Sequence, residues 1–250
     1  MIKKIFSIIT LSLIMVSFSF AGVEDELKKI NQSLKEIDKR LTAIEKKVNT
    51  PAQNNNKKQA DPNAVYNIPI SGSVVLGNPN AKVTITEFTD FQWPHCARSV
   101  SVVDSILAKY PNNVKVVIKN FPLSFHKQAY KAAQYALAAN EQGKYKEMYS
   151  AIFKDFRKLK SNEDLPLQIA ERLGLDMKKF VRDFSSSRIK KQIDLEMDQM
   201  RNSGIPRLAV PKFLIQGKEP QGRSLDKFSA MIEQELKLID WNSYIRIRNY

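Results

Sequence analysis

The chain has 250 residues, with 40 Lys and Arg against 26 Asp and Glu, giving a net charge of +14. Its one cysteine, Cys96, excludes an internal disulfide, so the fold must rest on an apolar core. The basic residues are spread out, with no zinc-ligand spacing, no phosphate-cradling glycine loop and no aromatic–basic interleaving; this describes a soluble lysine-rich surface and argues against a nucleic-acid partner, a metal or a cofactor.

Residues 1–21 read as a secretory signal. Lys3 and Lys4 open it, Ile5 to Phe20 is apolar, and Ser19-Phe20-Ala21 offers small residues for cleavage after Ala21. Cleavage predicts a periplasmic or secreted protein. An uncleaved run, close to the ~17 residues that can span a bilayer, would be its route to a membrane. Over residues 22–50 a coiled-coil helix is predicted. Val23, Leu27, Ile30, Leu34, Ile37, Leu41, Ile44 and Val48 alternate spacings of 4 and 3 among polar residues. The seam over 23–48 spans roughly 39 Å as a helix. Leucine at a and isoleucine at d favour a homotrimer or homotetramer, and Arg40 could pair with Glu45 of a neighbouring parallel chain. The alternative is a helix folded back on its own domain. Residues 51–66, opening Pro51-Ala52-Gln53-Asn54-Asn55-Asn56, lose the period and read as a flexible linker.

Residues 67–250 form the main domain. Val83 to Phe88 is a β-branched strand, and Pro94 opens a helix running to about Lys109, with Val100, Val103, Ile106 and Leu107 on its buried side. Val114 to Lys119 is the next strand, so a parallel strand–helix–strand start is expected. Helical spacings then run from His126 to about Asn202. Ala129, Ala132, Ala133, Ala136 and Leu137 mark one helix, and Tyr145, Met148, Tyr149, Ile152 and Phe153 another. Leu167–Leu173 and Met177–Met200 supply the rest. Strand character returns over Val210–Ile215. Ser224 caps a last helix, Leu225–Leu238, with Phe228, Ile232 and Leu236 at helical spacing. In the tail, Ile245-Arg246-Ile247-Arg248 alternates like an edge strand, with fraying the other reading.

Chemistry concentrates at Trp93-Pro94-His95-Cys96. A cysteine at 93 would complete a C-x-x-C redox motif; tryptophan stands there instead. Glu87-Phe88-Thr89-Asp90-Phe91-Gln92, followed by Pro94-His95-Cys96, resembles the active-site stretch of the DsbA-like family of bacterial thiol–disulfide oxidoreductases. Asn120-Phe121-Pro122-Leu123 with His126, Ala132-Ala133 and Gln142-Gly143-Lys144 resemble that family's next strand and the start of its helical insert. Val210-Pro211 resembles its cis-proline loop. The resemblance covers about residues 67–238 and implies an α/β fold: a thioredoxin fold with an inserted helical subdomain over about 123–203. The N-terminal helix resembles the oligomerisation helices of some exported disulfide isomerases and related copper-tolerance proteins.

By that resemblance, Trp93 occupies the nucleophile's position and Cys96 the resolving one. An indole can neither attack nor form a disulfide, and one thiol cannot store two electrons as a dithiol. Cys96 has three readings: a small buried apolar residue; a thiol acting alone through mixed disulfides, its pKa lowered at a helix start; or the partner of a selenocysteine at 93, since a UGA codon can be mistranslated as tryptophan. Trp93 either anchors a partner or fills the rim of the site. His95 reads as a solvated residue at a helix start, and His126 as a cap or orienting residue of the insert. Pro211, cis by resemblance, would set Val210's backbone edge opposite position 93, where a peptide could add as a strand. These residues predict an exported protein that binds polypeptide clients or envelope partners without dithiol cycling. The alternative is a thiol–disulfide oxidoreductase or isomerase using Cys96 alone or a selenocysteine at 93.

Overall fold

The structure, a computed structural model, describes residues 24–42, 61 and 63–248, the side chains of 246 and 247 excepted. The predicted signal, most of the linker, and Val23, Ile44, Glu45 and Val48 lie outside the described residues. The chain divides into two compact units, Met1–Lys57 and Lys58–Tyr250.

In the first unit, residues 24–42 form helix α1, and every residue of it is exposed. Leu27, Ile30, Leu34, Ile37 and Leu41 keep 51–56% of their surface in water. Arg40 pairs with Glu36 one turn earlier in its own helix, at 3.8 Å.

The second unit is built on a four-stranded sheet of order β1-β3-β2-β4. The strands are β1 (Val74–Gly77), β2 (Val83–Thr89), β3 (Val114–Asn120) and β4 (Lys212–Ile215). β2 and β3 run parallel, from Val83 opposite Val114 to Thr89 opposite Asn120. β1 and β4 flank them antiparallel. Both central strands are buried along nearly their whole length, as strands covered on both faces must be. Helix α2 (Pro94–Lys109) makes the crossover and buries Cys96, Ser99, Val103 and Ile106, one stripe at helical spacing. Burying one such large apolar side chain contributes roughly 1.5–3 kcal/mol.

Strand β1 is absent from the sequence reading. It has four residues and alternates buried and exposed positions, too short a run to announce itself. It ends at Gly77, where φ is +86° and a Cβ would stand 2.7 Å from Leu107 Cδ2. Only glycine fits this turn.

Between β3 and β4 come α3 (Ala129–Asn140), α4 (Tyr145–Lys154), a 3₁₀ turn (Phe156–Lys160), α5 (Leu165–Arg172), α6 (Met177–Phe184) and α7 (Ser187–Arg201). The stretch predicted as helical over Met177–Met200 is two helices. Ser185 ends the first, and Ser186 caps the second by accepting from Ile189 N–H. The strand predicted over Val210–Ile215 begins at Lys212; the Val210–Pro211 peptide bond is cis and precedes it. The last helix, α8 (Leu225–Arg248), runs well past Leu238, so the tail is neither an edge strand nor frayed as far as Arg248. The alternation covers four residues, and a strand needs a partner for its backbone groups whereas the running helix supplies its own. Among the described residues, no helix is long and apolar enough to cross a membrane.

Candidate functional site

The site forms where β2 runs into α2. Trp93 is the N-cap of α2 and Pro94 its first helical residue, where the missing N–H of proline costs nothing. Pro94 is half-buried and His95 exposed, with Arg98 donating to His95 Nδ1 at 2.7 Å. Cys96, three positions into the helix, is fully buried. β4 pairs with β2 so that Lys212 faces Phe88. One further register step brings Pro211 beside Thr89, so the cis peptide and the Trp93 loop share one end of the sheet.

The loop is held from below. Asp90, buried, accepts from Gln92 N–H and Leu123 N–H, each at 2.7 Å. His126 Nδ1–H donates at 2.9 Å to Asp90 Oδ2, the oxygen that also accepts from Leu123. His126 therefore ties the loop after β3 to the loop after β2. It is not the cap of α3, whose N-cap is Gln128. Phe91 anchors the same loop in the helical insert, stacked on Phe153 at 4.8 Å and edge-on to Tyr149 at 5.9 Å.

Beneath Cys96 lies a second carboxyl group. Glu87 is fully buried in β2; Ser99 Oγ–H lies 3.0 Å from its Oε1 and Tyr149 O–H 3.2 Å from its Oε2. Ser99 Oγ also lies 2.7 Å from the Cys96 carbonyl oxygen. Burial pushes the Glu87 carboxyl up to about 7, against the pull of the two hydroxyls and of Lys146. Burial also pushes the Cys96 thiol far above its ordinary range, outweighing the Asp90 N–H that points at Sγ from 3.4 Å. At neutral pH the group is a thiol, and the helix start does not make it a thiolate.

Above this layer the surface is aromatic. The half-buried Trp93 ring lies 5.4 Å from that of His126, 5.2 Å from His95 and 6.2 Å, edge-on, from Phe125. Phe125 is 66% exposed. Trp93, Phe125 and His126 open onto a cavity of about 680 Å³ lined also by Pro94, Phe156, Lys127, Arg157 and Lys160. The described residues contain no group of three His, Cys, Asp or Glu able to hold a metal ion.

The model of the family described as Thioredoxin matches residues 70–234. The chain belongs to the thioredoxin family. Within it, the sheet with its helical insert has the DsbA-like form: alpha-DsbA1 from Wolbachia pipientis superposes with a TM-score of 0.58 at 21% identity, over 69% of this chain and 95% of that one. A thioredoxin-like oxidoreductase from Silicibacter pomeroyi superposes with a TM-score of 0.57 at 27% identity, over 66% of this chain and 92% of that one. Among curated proteins, Na(+)/H(+) antiporter NhaA 3 from Salinispora tropica is 32% identical over 160 residues, 63% of this chain. That likeness spans only 24% of the antiporter's length.

The sequence reading singled out Trp93, Pro94, His95, Cys96, Val210 and Pro211. It did not find the roles of Glu87, Asp90, Ser99 and Tyr149, or the contribution of Phe125, Phe156, Arg157 and Lys160. Glu87 carried a readable signal, being the lone charged residue inside the β-branched run Val83–Phe88. The 3₁₀ turn carried none, because its distance to Trp93 depends on how the insert folds back.

Proposed function

We propose that this is an exported DsbA-like protein that binds polypeptide clients or envelope partners and does not cycle a dithiol. The observation that carries the reading is the pair at the start of α2: an indole at the N-cap, facing a large open cavity, and a single thiol sealed beneath it. Exchange needs an accessible thiolate and a second sulfur; Cys96 is neither accessible nor ionised, and Trp93 supplies no sulfur. A half-exposed tryptophan beside a cavity is the kind of side chain that dominates binding at interfaces. The cis peptide at Val210–Pro211, which precedes β4 at the same end of the sheet as the Trp93 loop, supports a peptide added along that end.

The exposed seam of α1 supports assembly. Five large apolar side chains at coiled-coil spacing are left in water by a lone helix, and a trimer or tetramer through residues 23–48 would bury them. Several cavities on one stalk would raise avidity through effective concentration. The apolar Ile5–Phe20 run supports export, which sets the protein in the periplasm or outside the cell.

Purified protein should neither oxidise a dithiol substrate nor reshuffle a scrambled one above the uncatalysed rate, and should bind unfolded chains in a way that Trp93→Ala abolishes. Rates close to those of an active thioredoxin-family enzyme would overturn the proposal. One observation favours the alternative, thiol–disulfide exchange by Cys96 alone or with selenocysteine at 93: the costly buried Glu87 is still hydrogen-bonded to the helix that carries Cys96. Adducts on Cys96 after mild oxidant, or a UGA codon at position 93, would decide for it.

A further inference from the structure

The residues that line the cavity beside Trp93 divide by chemistry. Its floor is apolar and aromatic: Trp93, Pro94, Phe125 and Phe156. Its rim carries Lys127, Arg157 and Lys160, all exposed, and no lining residue is a carboxylate. Among the described residues none of these three cations has an ion-pair partner; the Arg157 guanidinium lies 5.2 Å from the centre of the Phe156 ring. The carboxylates that flank the cavity are engaged elsewhere. Asp155 pairs with Lys158 at 2.8 Å, Glu163 with Lys131 at 3.2 Å, and Asp90 is buried under its own donors.

This separates the cavity from the general basic character of the chain. Basic side chains at three other cavities share their lining with an acid: Lys119, Arg188 and Lys191 with Glu196, Lys218 and Lys227 with Glu219 and Glu235, and Lys237 with Glu233. Here three cations stand round an apolar floor with none. A volume of about 680 Å³ holds one large side chain and the backbone on either side of it. The unpaired charges then face whatever flanks that side chain.

We infer that the cavity selects a polypeptide segment in which an aromatic or large aliphatic residue is flanked by Asp or Glu. The inference rests on the polypeptide-binding reading above and names the class of segment that is bound. The anchor fills the space between Trp93, Phe125 and Phe156, and the flanking carboxylates meet Lys127, Arg157 and Lys160. Since those cations are exposed, their contribution is steering and discrimination more than raw affinity, and it weakens with salt.

The test uses the full mature chain and three short synthetic peptides that share a central phenylalanine and differ in their flanks: aspartate, serine or lysine. Affinities are measured by calorimetry at low and at high salt. The aspartate peptide should bind about tenfold more tightly than the lysine peptide at low salt, as expected for a few exposed ion pairs, and the gap should shrink at high salt. The triple variant Lys127→Glu, Arg157→Glu, Lys160→Glu should invert the order. A neutral variant, with Gln at the same three positions, should erase it. All three substitutions are on the surface, so circular dichroism should be unchanged. Equal binding of the three peptides, lost in Trp93→Ala, would overturn the inference and leave the polypeptide-binding reading standing. No binding of any peptide would overturn both.

Discussion

Four carboxyl groups are buried among the described residues, those of Glu87, Asp90, Glu196 and Glu235, and Glu196 and Glu87 are treated differently. Glu196, on α7, is 1% exposed and is ringed by donors. Asn120 gives it a backbone N–H at 2.7 Å and a side-chain N–H at 2.8 Å, and Ser73 a hydroxyl at 3.1 Å. The buried Lys119 lends it positive charge, while donating to Pro69 O and Gln199 Oε1. Burial raises its pKa, and this set of donors opposes the rise. Glu87 has two hydroxyls and the charge of Lys146, and its carboxyl rises to about 7. Glu196 thus works as a clamp joining the insert to the end of β3. Glu87 meets α2 and α4 through one hydroxyl each, with no backbone donor, and its burial is a standing cost. The difference teaches where stability was sacrificed in this molecule: beside the start of α2.

The largest effect is expected on the clamp side. Glu196→Ala strands the Asn120 donors and leaves Lys119 without its balancing charge, which should cost about 4 kcal/mol in urea unfolding. A loss below about 1 kcal/mol would show that the network is not holding the insert. A smaller effect of opposite sign is expected at Glu87. Its folded pKa of about 7 lies above the ordinary 4.5. Between those values the native chain holds a proton that the unfolded chain has released, so stability falls as pH rises through that window and stays low above it. Glu87→Gln keeps a group that Ser99 and Tyr149 can bond and removes the titration. Relative to wild type it should gain about 3 kcal/mol between pH 4 and pH 8. A difference between the two proteins that is flat with pH would refute the burial argument for Glu87.

The same contrast marks what was legible in the sequence. Elements with a strong period were: β2, β3, α2 and the helices of Ala132–Leu137 and Met148–Phe153 all lie where their apolar spacing places them. The thioredoxin fold with a helical insert followed from motifs in order. The four-residue β1 and the break at Ser185–Ser186 were not legible, being local features shorter than a period. The roles of Glu87 and Glu196 were hidden for a different reason. Each depends on partners far along the chain, Tyr149 for one and Ser73 and Asn120 for the other. The cavity shares that property: Trp93 was visible, but Arg157 and Lys160 reach it only through the folding of the insert.

The smallest expected effect is the one that ties the Glu87 layer to function. Cys96→Ala removes one buried sulfur from a packed site and should cost about 1 kcal/mol. Its value lies in the pH profile. If Cys96 is a neutral thiol, as its burial requires, it exerts no charge on Glu87 near neutrality, and the fall in stability centred between 4.5 and 7 should keep its midpoint in the variant. A thiolate at Cys96 would repel the Glu87 carboxylate and hold its pKa up, so removing it would move the midpoint down by about one unit or more. An unmoved midpoint, together with no labelling of the native thiol and full labelling after unfolding, would leave Trp93 and the cavity as the active face of the domain. A midpoint that drops would instead restore Cys96 as a reactive group and turn the comparison round, making Glu87 a working partner of a sulfur and its cost the reason for its burial.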